Sequence, residues 1–357
     1  MQIRNTKISF LLILFLSLFF QVSSAQKPVK TFTNPLLPSG ADPYSFYKNG
    51  YYYYTNTLRD SLVLWKTRNL ADLKNAEHKI IWVPPAGTSY SKELWAPEFH
   101  FIKGKWYAYF AADDGNNNHH RTYVLENASS DPFKGKWVFK GKVAAASSDK
   151  WAIDSDVFEQ KGTLYMIWAG WEGDVNGRQN IYIAKMKNPW TISGKRVMIS
   201  KPTFSWERNG DLNDANNPSH VDVNEGPQYL KHGNKIFVVY SASGCWTDFY
   251  ALGMLTASAK SNLLNAASWK KSPQPVFKQS VENGVYAPGH NSFFKSPDGT
   301  EDWILYHANS EPGQGCGTDR SPRAQKFTWN RNGTPDFGLP VKAGIPMAIP
   351  SEKKMKR

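Results

Sequence analysis

The sequence predicts an all-β fold, a β-propeller with five blades. Five hairpin segments recur along the chain, each with a turn glycine and then a strand of aromatic and β-branched residues: ADPYSFYKNGYYYY, APEFHFIKGKWYAYF, IDSDVFEQKGTLYMIW, NEGPQYLKHGNKIFVVY and GHNSFFKSPDGTEDWILYH. Aromatic residues make up 14% of the chain, which suits strands, and helical periodicity is scarce. Because radial repetition lets short sheets avoid long open edges, five repeats predict five blades.

The two ends of the chain are expected to lie outside this fold. Arg4 and Lys7 precede an apolar run over residues 8–20, and small residues follow up to Ala25. This pattern is typical of a secretory signal peptide over residues 1–25, and its apolar core is too short to span a membrane. We therefore expect a secreted or periplasmic protein without a membrane anchor. Its single propeller domain would cover residues 26–350, followed by a basic tail over 351–357.

The net charge and the cysteine content limit which partners and metal sites the protein can have. The net charge is +13, but outside the C-terminal tail the basic residues are scattered, and no basic helix or RNA-binding motif occurs. We therefore expect no nucleic-acid partner. The positive charge either attracts an acidic polysaccharide or belongs to a solvated surface without a specific partner. Cys245 and Cys316 lack the spacing of a zinc site. In an oxidising compartment they can pair, and two free thiols remain an equal alternative.

Three acids share one position in the repeats. Asp42, Asp154 and Glu225 each lie eight residues before the turn glycine of their segment. Ala96 has this position in the second repeat, and His290 lies near it in the fifth. Equivalent positions of successive blades converge on the propeller axis, so the three carboxyl groups are expected to meet. A purely structural role would not need acids in only three of five blades.

Three further residues compete for places near the axis. Asp156 has the same strand parity as Asp154 and is a rival for its role. Glu98 lies two residues off the shared position, which favours a sugar-contacting or structural role. His290 is either a structural residue with satisfied hydrogen bonds or a residue that holds an ion or a water.

Acids gathered in a partly dry channel favour glycoside hydrolysis. Their mutual repulsion and burial separate their pKa values, so one carboxyl group keeps its proton while another stays ionised. One acid then protonates the leaving oxygen, another activates water or attacks, and a third can orient the donor. A long polar loop, WERNGDLNDANNPSH, precedes the fourth hairpin, and such loops are often functional.

The chain resembles glycoside hydrolase family 43, a family of inverting five-bladed propellers. The matching segments, in chain order, are Ala41–Tyr44, Trp95–Glu98, Ile153–Asp154, Glu225–Pro227 and Gly289–Ser292. The resemblance implies that Asp42 is the general base, Asp154 the modulator of the donor's pKa and its orienter, and Glu225 the general acid. It also implies that His290 helps to hold a calcium or another ion through a water shell, and that the chemistry needs no cofactor. Ser155 stands where many members have proline.

Longer segments resemble the family's exported exo-acting α-L-arabinofuranosidases, among them AGWEGDVNGRQNIYIAKMKNPWTISG and GHNSFFKSPDGTEDWILYHANS. The resemblance implies terminal α-1,5-linked arabinose as substrate, on an arabinose-containing plant polysaccharide or its oligosaccharides. A β-xylosidase or galactofuranosidase with the same mechanism is an alternative, and so is a sugar-binding propeller without catalysis. The sequence leaves open whether the site is a closed pocket or an open groove.

Five residues are candidate sugar contacts, each weighed against a structural role: Trp95, Glu98, Trp171, Trp246 and Arg323. Trp95 precedes the Ala96 position, so its ring is the best candidate for stacking on a sugar. Because an inverting enzyme must fit a water between base and sugar, the carboxyl groups of Asp42 and Glu225 are expected about 6.5–9.5 Å apart.

Overall fold

The computed structural model describes residues 30–144 and 148–352. The predicted signal peptide and most of the basic tail lie outside these residues. Five four-stranded antiparallel sheets make up the fold, which confirms the predicted five-bladed propeller. In the part of the chain that the structure describes, no helix is long and apolar enough to cross a membrane.

The blades follow one another along the chain, each with its strands in sequence order. Blade 1 contains β2 (Tyr44–Lys48), β3 (Tyr51–Thr55), β4 (Leu62–Thr67) and β5 (Glu77–Trp82). Blade 2 contains β6 (Lys92–Ile102), β7 (Lys105–Asp113), β8 (Arg121–Asn127) and β9 (Val138–Lys142). Blade 3 contains β10 (Ala152–Gln160), β11 (Thr163–Gly170), β12 (Asn180–Asn188) and β13 (Thr191–Ser200).

The last two blades have short outer strands. Blade 4 contains β14 (Asn224–His232), β15 (Lys235–Ala242), β16 (Ala251–Ser258) and β17 (Lys270–Lys271). Blade 5 contains β18 (Tyr286–Lys295), β19 (Asp302–Asn309), β20 (Ser321–Trp329) and β21 (Pro335–Asp336). Short 3-10 turns cover Leu70–Asn75, Asn117–His119, Ser205–Glu207 and Ala266–Ser268.

The ring is closed near the two ends of the described chain. β1 (Thr31–Phe32) pairs with β22 (Met347–Ala348) in a separate two-stranded sheet. The Asn34 side chain, just after β1, both donates to and accepts from the backbone of Ala324 in blade 5. The inner strands β2, β6, β10, β14 and β18 contact one another in cyclic order. The inner strands therefore surround one axis.

An aromatic and aliphatic core fills each gap between neighbouring blades. Trp106 and Phe110 belong to the cluster between blades 1 and 2, and Trp168 and Tyr182 to the one between blades 2 and 3. Three similar clusters fill the remaining gaps. Burying large rings between sheets is the main favourable term for such a fold, and it accounts for most of the aromatic content.

One residue near the axis in each blade has a left-handed backbone, at a β-bulge of the inner strand in blades 2 to 5 and just before β2 in blade 1. Asp42, Ala96, Asp154 and His290 have left-handed φ values of 56°, 43°, 55° and 47°, which are unusual for residues with a Cβ. We call this place the axis position. In blade 4 it belongs to Gly226, with φ 55°.

Glu225 therefore lies one residue before the axis position. By strand pairing Glu225 faces Ser241, as Ile153 faces Ala169 in blade 3. The spacing of eight residues in the sequence arises because Gly233 is the first residue of its turn, whereas Gly162 is the second, after Lys161. The expectation that all three acids are equivalent is wrong for Glu225, although all three do meet.

Candidate active site

A cavity of about 690 Å³ opens at the axis, and the three predicted acids Asp42, Asp154 and Glu225 all line it. Each acid is more than nine-tenths buried. The cavity also brings together three other predicted residues, Trp95, Trp246 and His290. Chain folding thus gathers side chains from all five blades around one space of the size that holds a small ligand.

Asp42 is surrounded by one cation and several polar partners. Arg320 donates from Nη1 to its Oδ1 at 3.2 Å, and the Thr57 hydroxyl donates to its Oδ2 at 2.6 Å. Nδ1 of His290 lies 3.2 Å from Oδ1, and Nδ1 of His307 accepts from the Asp42 backbone N–H at 3.0 Å. Both carboxylate oxygens are therefore held in place.

The pKa of Asp42 lies well below its ordinary value. Burial alone would raise this pKa, but His290, Arg320 and His307 together outweigh burial. Burial lowers the pKa of His290, and it lowers that of His307 to about 4, so both rings are neutral at pH 7. Arg320 then supplies the positive charge beside Asp42. The carboxylate is ionised at neutral pH.

Asp154 and Glu225 form a repelling pair. Burial raises both pKa values, that of Glu225 to about 7, and the charge of Glu225 raises the pKa of Asp154 further. Two partners oppose this effect: Gly226 donates its N–H to Asp154 Oδ2 at 2.9 Å, and the Tyr250 hydroxyl donates to Glu225 Oε1 at 2.8 Å. The pair therefore holds a proton near neutral pH, in contrast to Asp42.

Gly226 explains why blade 4 carries its acid one residue early. A Cβ at Gly226 would lie 3.3 Å from the His290 ring, and its φ of 55° also favours glycine. A side chain at the axis position of blade 4 would therefore crowd His290. The acid comes from the neighbouring residue, Glu225.

The walls of the cavity come from loops on several blades. Trp95 stacks on His120 with ring centroids 3.9 Å apart, and its indole N–H donates to Glu93 at 2.9 Å. Opposite these, a long loop (208–222) contributes Leu212, Asp214, Asn216, Asn217 and Val221. Asn176 of blade 3 donates to Asn217 at 3.2 Å. The loop that the sequence singled out is thus part of the site.

A second group of polar side chains, the buried layer (Glu98, His100, Asp156 and Gln228), lies further along the inner strands. His100 is four residues beyond the axis position and the other three are two residues beyond it. His100 Nε2 lies 3.1 Å from Glu98 and 3.8 Å from Asp156, and Gln228 donates to Glu98. Asp156 accepts the N–H of Tyr229 at 2.6 Å. None of these residues lines the cavity, so neither Asp156 as a rival for Asp154 nor Glu98 as a sugar contact is supported.

Two other predicted sugar contacts also lie away from the cavity. Trp171 is 2% exposed and stacks behind Trp151, with ring centroids 4.8 Å apart. Arg323 is fully buried on β20 and donates to the Ser310 hydroxyl at 2.8 Å. Trp151 and Arg320 line the cavity instead. The error has a simple cause: Arg320 precedes β20 in a loop, whereas Arg323 lies within the sheet.

Among the described residues, His290 does not belong to a set of direct ligands for an ion. Nδ1 of His290 faces Asp42, and among the described residues the group whose ligand atoms lie within 4.8 Å of one another is Glu98, His100 and Asp156, without His290. The predicted ion at His290 therefore gains no support, and we derive no catalytic step through it.

The two cysteines, whose state the sequence left open, are bonded to each other. Cys245 lies between β15 and β16, Cys316 lies between β19 and β20, and their Cα atoms are 5.3 Å apart. Both residues line the cavity. The disulfide is thus part of the wall of the site.

Comparison with known proteins agrees with this geometry. Residues 32–335 match the family model of Glycosyl hydrolases family 43. The chain belongs to this family, as its sequence motifs predict.

Several similar proteins are arabinofuranosidases. An extracellular exo-α-(1→5)-L-arabinofuranosidase of Streptomyces avermitilis is 44% identical over 89% of this chain and 65% of its own length. One of the same name from Streptomyces chartreusis is 39% identical over 78% of this chain and 82% of its own length. A crystal structure of α-L-arabinofuranosidase from Lactobacillus brevis, 37% identical, has a TM-score of 0.80 and covers 88% of this chain and 98% of that one. This chain thus spans just under two thirds of the length of the first relative.

Proposed function

We propose that this protein is an inverting glycosidase that releases terminal α-L-arabinofuranose from α-1,5-linked arabinan or its oligosaccharides. The observation that carries the proposal is one cavity lined by an ionised carboxylate, Asp42, and by a proton-holding pair, Asp154 and Glu225. The sugar and its linkage come from the names of the similar Streptomyces enzymes.

The charge states assign the steps of the reaction. Asp42 takes a proton from a water, whose oxygen bonds to the anomeric carbon as the glycosidic bond breaks. Glu225 gives its proton to the departing oxygen, and its pKa of about 7 suits this transfer near neutral pH. Asp154, held by the N–H of Gly226, is the proposed modulator: the two carboxyl groups repel each other when both are ionised, so the pair retains a proton.

The oxocarbenium-like transition state develops positive charge between the acids. The Asp42 carboxylate faces this charge, while Arg320 and Thr57 hold its oxygens. The neutral His290 lies beside the same carboxylate without adding a positive charge to the site at pH 7.

The walls of the cavity favour release of single sugars from a chain end. The long loop, the disulfide and Trp246 line the cavity on the side of blades 3 to 5, and Trp95 and Glu93 line it on the side of blade 2. Walls on these sides favour entry of the end of a sugar chain. The proposal includes export of the protein, in line with its N-terminal sequence and with the extracellular relatives.

The stereochemistry of the first product tests the proposal. Proton NMR of α-1,5-arabinotriose during hydrolysis is expected to show β-arabinofuranose before mutarotation, because inversion converts an α linkage into a β product. The Asp42→Asn protein, prepared identically, is the control for contaminating activity. First release of the α anomer would contradict inversion, and cleavage of xylo-oligosaccharides but not of arabinotriose would contradict the assigned sugar.

A further inference from the structure

The disulfide joins two loops that border the cavity. The blade 4 loop (243–250) connects β15 to β16, and the blade 5 loop (310–320) connects β19 to β20. Cys245 and Cys316 lie within these loops and are 71 residues apart in sequence. Gly313 donates its N–H to Asp248 at 2.8 Å, which adds a second link between the loops.

Trp246 is fixed from three sides. Its indole N–H donates to the backbone oxygen of Asp211, in the long loop, at 2.8 Å. Its ring lies flat against Gly244, where a Cβ would come within 2.2 Å of the ring. Its backbone lies close to Gly315, next to Cys316 in the blade 5 loop, where an added Cβ would be 3.8 Å from the Trp246 Cα. The half-buried ring thus forms a rigid apolar part of the cavity wall.

This wall is on the side of the proton donor. The blade 4 loop ends at Tyr250, whose hydroxyl donates to Glu225, and Glu225 itself belongs to blade 4. The proposed base, Asp42, precedes the inner strand of blade 1. In an inverting reaction the leaving group departs on the side of the acid, opposite the attacking water. The leaving group, which carries the glycosidic oxygen, must therefore lie close to the blade 4 loop.

We propose that Trp246, held by the Cys245–Cys316 disulfide, forms the subsite for the leaving sugar. The C–H face of the sugar next to the cleaved bond stacks on the indole ring, which offers a large apolar surface at little cost in conformational entropy. This inference rests on the proposed function. It assigns a binding role for the leaving group to Trp246 and a positioning role to the disulfide.

The disulfide adds a covalent restraint to loops that lack regular secondary structure. The blade 5 loop is eleven residues long, contains Gly313, Gly315 and Gly317, and lacks regular secondary structure. Loops of this kind open locally at low free-energy cost, and a covalent link across them removes many of the open conformations. The same loop ends at Arg320, so the link also couples the leaving-group side to the residue that holds Asp42.

Two substrates with the same arabinofuranosyl group separate this role from catalysis. Methyl α-L-arabinofuranoside has a leaving group too small to stack, whereas α-1,5-arabinobiose leaves a sugar in the proposed subsite. In Trp246→Ala, the ratio of kcat/KM for arabinobiose to that for the methyl glycoside is expected to fall about tenfold, the size of a lost stacking contact. In Cys245→Ser/Cys316→Ser the same ratio is expected to fall by about threefold.

Phe249→Ala is the matched control, because Phe249 lies in the same loop, is 55% exposed and does not line the cavity. Its ratio is expected to equal that of the wild type. An unchanged ratio in Trp246→Ala, whose disulfide is intact, would overturn the subsite. Equal losses on both substrates in the double serine variant would overturn the positioning role. If the wild type hydrolyses neither substrate, the proposed function itself fails.

Discussion

Two sets of acids lie on or beside the inner strands, one lining the cavity and one away from it, and they differ in protonation. Asp42, Asp154 and Glu225 line the cavity, whereas Glu98 and Asp156 lie in the buried layer. Asp154 and Asp156 even share β10, with a β-bulge between Ile153 and Asp156. The first set contains an acid with a strongly lowered pKa, and both acids of the buried layer have raised values.

The difference comes from the neighbours. Asp42 has Arg320 at 3.2 Å, while among the described residues the ion-pair partner of Glu98 and Asp156 is His100. Burial lowers the pKa of His100 to about 3, so it is neutral at pH 7 and does not stabilise a carboxylate by charge. Burial therefore determines the raised pKa values of Glu98 and Asp156 in the buried layer. An acid close to the axis becomes a base only where a cation and an open cavity accompany it.

The largest expected effect is on kcat, and it distinguishes two buried glutamates, Glu225 and Glu98. Glu225→Gln removes the proposed proton donor and is expected to lower kcat on arabinotriose about 10²–10⁴-fold. Glu98→Gln keeps a neutral group of the same shape, because burial and then Asp156 raise the pKa of Glu98 well above its ordinary value. Its kcat is expected to stay within about threefold of wild type. A comparable loss in both variants would give the buried layer a part in catalysis.

The two aspartates of β10 give the next contrast. Asp154→Asn is expected to lower kcat about 100-fold and to move the basic limb of the pH profile to lower pH. The direction follows because the two carboxyl groups repel each other when both are ionised, so the pair loses its last proton at lower pH when one of them is removed. Asp156→Asn is the control and is expected to leave the profile unchanged. A basic limb that stays in place in Asp154→Asn would contradict the modulator role.

Arg320→Ala tests the cation beside the base and is expected to lower kcat/KM about tenfold at pH 7. Arg320 lowers the pKa of Asp42, so its loss raises that pKa and moves the acidic limb of the kcat/KM profile to higher pH. Arg331→Ala, at an exposed position before β21, serves as the control. An unmoved acidic limb would show that Arg320 does not set the charge of Asp42.

The smallest effect concerns stability. Burial raises the pKa of Asp156 to about 7, so the folded state holds a proton that the unfolded state releases. The free energy of unfolding should then fall as pH rises from about 4 to about 7. Asp156→Asn removes this loss and is expected to gain on the order of 1–4 kcal/mol at pH 7.5, and little at pH 4.

Urea unfolding at these two pH values measures the change. A variant that is less stable than wild type at pH 7.5 would show that the Asp156 carboxylate is ionised and stabilised in the folded protein. Asn291→Asp, at another buried position, is a matched control because it adds a buried acid, and it is expected to lose stability as pH rises.

The sequence predicted the fold because each blade repeats one local pattern, a turn glycine and an aromatic strand. The same repetition located Asp42 and Asp154, whose positions equal those of Ala96 and His290 by backbone conformation. Glu225 was found because its turn glycine comes one residue earlier in the turn, and not because it occupies the same strand position as Asp42 and Asp154. Local repetition thus predicts which strands reach the axis, but not always which residue of a strand does.

The residues that sequence reasoning missed come from irregular loops. Arg320 and Thr57 contact Asp42 from segments outside the hairpin repeats, and Tyr250 reaches Glu225 from the end of a loop. Such contacts depend on tertiary folding, which no repeat encodes. One weak signal was available for Arg320, since the glycine-rich stretch before it indicates a loop long enough to reach the axis.

The left-handed backbone at Asp42 and Asp154 has a consequence for evolution. Both residues adopt a conformation that glycine tolerates far better, and Asp154 is in addition a carboxyl group with a raised pKa deep in the protein. Natural selection for thermal robustness alone would replace Asp154 by glycine, as blade 4 already has at Gly226. The Asp154→Gly protein is therefore expected to resist heating longer than the wild type while it loses catalytic activity. A single residue thus sets a trade-off between thermal stability and turnover.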